Sequence, residues 1–162
     1  MESLQESMIE YRRQLDKGHI QIAYRGLMDY ILSLKTHFAT RHPDYAVSGT
    51  PYLGYMDMTY FSIVPEAYRQ RGLKIAVVFL HEAFRFEVWL AAANKQIQKK
   101  TWEYFKDTGW NQYHIVPAVQ GYDSILEQTL VDDPDFSDLP TLTGRIEQGT
   151  LDFIREVEKH LP

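Results

Sequence analysis

Apolar residues recur at helical spacing near both ends of the chain and at strand spacing in its middle. Leu4, Met8, Tyr11 and Leu15 follow at intervals of four, three and four, which makes one face of a helix over residues 3–16. Ser3 and Glu6 have the spacing of a capping box at its start. Gly18 interrupts the pattern, and Ile20, Ala23, Leu27, Ile31, Leu34 and Phe38 then form a second stripe that runs to about residue 40. The two segments read either as one long helix with a weak point at Gly18 or as an αα pair. His42-Pro43-Asp44 ends the second, because proline disfavours helix in the residue before it.

After the turn chemistry of Ser48-Gly49-Thr50-Pro51 the period changes to two. Residues 52–64, YLGYMDMTYFSIV, are rich in aromatic and β-branched residues and predict a strand closed by Pro65. Alternation puts Leu53, Tyr55, Asp57, Thr59, Phe61 and Ile63 on one face, with Met56, Met58, Tyr60 and Val64 on the other. Residues 73–82, LKIAVVFLHE, form a near-continuous apolar run, as in a strand buried on both faces. Residues 84–91, FRFEVWLA, follow so closely that the two strands must be antiparallel, with a tight turn near Glu82-Ala83. Asn94 caps a helix over 95–107 with Ile97, Thr101, Tyr104 and Phe105 inward, and Gly109 stops it. Residues 113–116 read as a short strand, 123–131 as a short helix, and 139–160 as a last helix weakened locally by Gly144 and Gly149.

The expected order is therefore α, α, β, β, β, α, β, α, α. It describes one α+β domain over 1–162: a mostly antiparallel sheet of about four strands between N-terminal and C-terminal helices. Composition agrees. With 44% hydrophobic and 24% charged residues the chain can bury a core, and a disordered chain is excluded. The net charge of −5 argues against broad phosphate binding, so nucleic acid is not an expected partner. Lys95, Lys99, Lys100 and Lys106 form the nearest thing to a basic strip and read as a solvated helix face. No apolar run reaches the roughly 18 residues that cross a bilayer, and no basic leader precedes an apolar stretch. With no cysteine for a disulfide, the expectation is a cytoplasmic protein without a membrane partner.

The known catalytic and cofactor signatures are missing. There is no P-loop, no dinucleotide-binding glycine pattern and no nucleophile elbow, and no cofactor is called for. His81-Glu82 begins like a zinc-protease motif, but its second histidine is Arg85 and the segment is a strand turn. The acidic loop from Asp132 to Asp138 fails the calcium-loop pattern, with Asp138 where glycine is needed and Gly144 where glutamate is needed. Asp138 reads as a helix cap. His81 and His114 both fall on strand positions and could meet, though histidines so scattered are usually structural.

What remains is aromatic content and a few carboxylates in apolar surroundings. Three Trp, eleven Tyr and eight Phe are enough to wall a pocket as well as fill a core. Asp57 and Glu87 are both at mid-strand positions, and Arg85, Glu87 and Trp89 share a face because they alternate. If neighbouring strands align those faces, Tyr55, Asp57, Arg85, Glu87, Trp89 and Lys95 converge. They then make either an ion-paired sheet face or the polar floor of an aromatic pocket. The pocket reading implies binding of a small-molecule ligand or a protein partner. A homodimer anchored by Trp102 or Trp110 is the third reading.

Two resemblances bear on these residues. The helix–three strands–helix–strand order over roughly residues 20–117 resembles the core of the restriction-endonuclease-like nucleases. That likeness implies a metal-dependent hydrolase in which Asp57 and Glu87 hold the ion. The family's lysine position is Trp89 here, so Lys95 or Lys99 on the next helix would have to replace it. The stretch YMDMTYFSIVPEAYRQRGLKIAVVFLHEAFRFEVWLAAANKQIQ is similar to small bacterial proteins of unassigned function, which implies a stand-alone cytoplasmic domain and no particular activity.

Overall fold

The computed structural model describes residues 3–162. They fall into two compact units, one ending at Leu34 and the other Lys35–Pro162. In the first, α1 (Leu4–Lys17) opens with the expected capping box: Glu6 N–H donates to Ser3 Oγ at 3.2 Å, and Ser3 N–H to Glu6 Oε2 at 2.7 Å. The αα alternative is the one realised. Gly18 takes a left-handed φ of 79°, closes α1 by donating to the Leu15 carbonyl, and α2 (His19–Arg41) begins at the next residue.

The second unit is built on a six-stranded antiparallel sheet in the order β1-β2-β3-β4-β6-β5. The strands are β1 (Ala46–Val47), β2 (Met58–Val64), β3 (Leu73–Leu80), β4 (Arg85–Ala92), β5 (His114–Ile115) and β6 (Leu126–Asp132). A single turn of helix, α3 (Glu66–Arg69), links β2 to β3; α4 (Lys95–Thr108) follows β4, and α5 (Leu139–Lys159) ends the chain. One sheet face is the core. Phe61, Val77, Val88 and Leu126 lie on it, almost without exposure. They meet the apolar stripe of α5, where Leu142, Ile146, Phe153 and Val157 are buried. Phe38, on the last turns of α2, adds a ring 5.9 Å from Phe61. Tyr68 pins α3 to α5 by donating its hydroxyl to the Ile154 carbonyl at 2.6 Å, and burial pushes its phenol well above the ordinary range.

Three expectations need correction. The strand expected at 52–64 begins only at Met58. Gly54 and Met56 take left-handed φ values of 74° and 63°, so residues 53–57 double back as a loop while Tyr52 alone pairs with Tyr60. Only glycine fits at 54, because a Cβ there would lie 2.0 Å from the Met58 carbonyl oxygen. The helix expected over 123–131 is strand β6. A bulge opposite Phe86 and Glu87 breaks its alternation, which leaves Leu126, Leu130 and Val131 at intervals that imitate a helix. One further strand, β1, is two residues long and carries no readable period, whereas β5 is the short strand expected over 113–116. The sheet is accordingly larger than the four strands expected, but the α+β class and its antiparallel pairing are as expected. Gly149 in α5 has its own reason: a Cβ there would meet Leu130 Cδ2 at 2.6 Å, so it admits the bulged strand. No helix of the described residues is long and apolar enough to cross a membrane.

Candidate functional site

The second sheet face is only half covered, and β4 supplies its chemistry. Arg85, Glu87 and Trp89 alternate along the strand and point the same way. Register carries the face across the sheet: Glu87 stands opposite Val78, itself opposite Tyr60, and Trp89 stands opposite Ala76. Glu87 is 3% exposed, and both of its carboxylate oxygens are used. Oε2 accepts from Arg85 Nε at 2.6 Å, and Oε1 accepts from Trp89 Nε1 at 2.8 Å. A buried carboxylate requires such partners. The consequence is positional: Glu87 holds the indole of Trp89 by its N–H, and Arg85 neutralises the charge that does so.

Beside this line of side chains lies an open recess of about 480 Å³. Ala76, Ala91, Ala92 and Ala93 make its low floor and far wall; Trp89, Tyr60, Tyr52 and Met58 make its apolar sides. The rings of Tyr52 and Tyr60 are 5.2 Å apart, held by the backbone pairing of those two residues. Lys74, Asn94, Lys95, Gln98 and Asp123 bring polar groups to its margin. Asn94 caps α4 as expected, accepting from Ile97 N–H at 2.9 Å. Gln98 is buried and donates to the Tyr122 carbonyl at 2.8 Å, which ties α4 to the loop that carries Asp123. Gly72, at φ 69°, lets Ile97 pass where a Cβ would come within 2.5 Å. That contact seats the start of α4 against the sheet end.

Of the six residues expected to converge, Trp89 and Lys95 line the recess, and Arg85 and Glu87 stand behind Trp89. Asp57 and Tyr55 belong elsewhere. Asp57 sits in the loop before β2, and its Oδ1 turns back to accept from Tyr55 N–H at 2.8 Å. That bond, with the Met58 N–H, holds its carboxyl below the usual range. Tyr55 is 92% exposed. Asp57 and Glu87 therefore share no ion site, since each carboxylate is committed to its own strand or loop. Among the described residues no group of three His, Asp or Glu side chains is placed to hold a metal ion. The paired carboxylates that the nuclease resemblance requires are not formed.

Most of the other candidates have partners within the fold. His81 Nε2 is 2.9 Å from Thr59 Oγ1, whose own proton goes to the Leu53 carbonyl at 2.7 Å; Nε2 is therefore the protonated nitrogen. His114, on β5, is three strands away in the sheet order, so the two histidines do not meet. His37 and His42 share the Glu147 carboxylate, which joins the end of α2 to α5. Trp102 donates to the Val116 carbonyl at 2.8 Å, and Trp110 stacks on His160 at 4.6 Å. Asp138 caps α5 through Thr141, as expected of the acidic loop.

The alanine floor, Tyr60 and Gln98 were not legible as site residues. Small side chains carry no periodic signal, and only the register of β2, β3 and β4 places Ala76 beside Trp89, two residues along β3 from the partner of Tyr60.

None of the curated proteins and none of the solved structures compared with the chain matches it. A family model does: it covers residues 4–161, both compact units together. With its half-covered sheet face and aromatic recess, the chain belongs to the family described as a domain of unknown function, DUF7000.

Proposed function

We propose that this protein binds a small molecule in the recess over Ala76 and Ala91. The observation that carries the reading is the clamped indole: a buried carboxylate is spent on fixing one Trp ring at the edge of a cavity floored by alanines. Holding an aromatic wall in place lowers the ordering cost that a ligand would otherwise meet. The volume of about 480 Å³ falls in the range of small-molecule sites, and apolar walls with a few polar groups at one margin are their usual lining.

A thermal-shift screen of the full chain against a broad metabolite set tests it. Stabilisers are expected, since a ligand that binds only the folded state raises its stability by mass action. Their effect should vanish in Ala76→Leu, which fills the floor, and in Tyr60→Ala, which removes a wall. Stabilisers that act equally on both variants would move binding away from this recess and overturn the proposal.

A further inference from the structure

Resting on the recess as the binding site, we propose that its ligand is an amphipathic organic anion, with a planar ring system along Trp89 and Tyr60 and its acid group at Lys74 and Lys95. The recess is polarised along the strands. Met58, Tyr52 and Tyr60 occupy one end; Lys74, opposite Ala91, and Lys95, three residues past the end of β4, occupy the other. Tyr60 pairs with Val78, four residues along β3 from Lys74, so the two ends are separated by about 13 Å at roughly 3.3 Å per residue. Less the reach of a lysine side chain, that length suits a two-ring body with a charged head.

Charge at the lysine end has one sign in excess. Neither Lys74 nor Lys95 is ion-paired among the described residues, and Asp123 is the one carboxylate on the margin. The α4 N-terminus begins at Lys95 with no acidic residue in its first turn, so its backbone partial charge adds to the lysines. Two carboxylates stand behind the wall, and both are engaged: Glu87 is paired with Arg85, and Glu127, opposite Trp89 in the sheet, accepts from Ser124 Oγ at 2.6 Å. Flat apolar sides select the ring. Alanines on the floor leave room for it to lie close to the sheet.

The test uses 2-naphthoate and its neutral isostere 2-naphthamide on the full chain, by calorimetry and by the indole N–H resonance of ¹⁵N-labelled protein, assigned with Trp89→Phe. The acid is expected to bind about tenfold tighter than the amide and to shift the Trp89 resonance. Lys74→Met/Lys95→Met should bring the acid down to the affinity that the amide has for the same variant. Should the double variant fold poorly, Lys95→Met alone, at an exposed position, should weaken the acid about threefold. Equal affinity for acid and amide, or no loss in the lysine variants, overturns the anion assignment and leaves the recess as a binding site. No response of the Trp89 resonance to either compound overturns both.

Discussion

Glu87→Ala removes the carboxylate that fixes Trp89, and its cost follows from the contacts. Glu87 is 3% exposed and accepts two hydrogen bonds, at 2.6 Å from Arg85 and 2.8 Å from Trp89. Hydrogen bonds to a charged group contribute about 1.5–3 kcal/mol each, and breaking a buried ion pair costs about 3–5 kcal/mol when the survivor stays buried. Here the survivor does not: the Arg85 side chain is 39% exposed and regains water. The expected loss is therefore at the lower end, about 2–3 kcal/mol, with the Trp89 N–H left unpaired. Glu87→Gln keeps an oxygen for the indole and should lose about half as much. Arg85→Met/Glu87→Leu leaves no charge uncompensated, and should lie closer to the parent than Glu87→Ala does. Urea unfolding followed by circular dichroism measures the losses, and the Trp89 indole resonance reports the ring. A Glu87→Ala midpoint within about 0.5 kcal/mol of the parent, or an unmoved indole resonance, would refute the clamp.

Other outcomes follow from single features. Thr150 is fully buried on the α5 stripe, and its Oγ1 has no hydrogen-bond partner; Thr150→Val should raise stability by about 1 kcal/mol in the same urea assay. Gly54→Ala forces a left-handed Cβ onto the Met58 carbonyl and should cost about 2–3 kcal/mol, with Tyr52 losing its pairing to Tyr60 by amide hydrogen exchange. Burial holds the His81 imidazole below its ordinary value of 6.5, against the pull of the Asp57 carboxylate. Between its folded value and 6.5 the unfolded chain binds more protons, so this contribution is present above 6.5 and is lost as pH falls through that window. Asp57, held below 3.8, titrates under that window and does not confuse it. Urea midpoints at about pH 7.5 and 5.5 should fall further in the parent than in His81→Gln.

The parts that were legible are those whose signal is local. The Ser3, Asn94 and Asp138 caps each satisfy a first-turn N–H as their spacing implied. The β3–β4 hairpin followed from two strand-like runs too close for any crossover. Arg85, Glu87 and Trp89 were readable as one face because alternation survives in β4. Asp57 was misplaced because Gly54 and Met56 turn the chain before β2, and a glycine inside a strand-like run was the available warning. β6 was hidden by its bulge, and the recess itself by the fact that its floor is alanine. Its walls come from strands joined only through pairing register, which no local pattern records.

Whether the recess beside Trp89 takes a small molecule can be read at the indole itself. The most direct measurement is the Trp89 indole N–H resonance, followed while a stabilising compound from the thermal-shift screen is titrated into the full chain. That resonance is expected to move and to saturate at the dissociation constant that calorimetry gives for the same compound. Saturable binding that leaves the Trp89 resonance in place would contradict it.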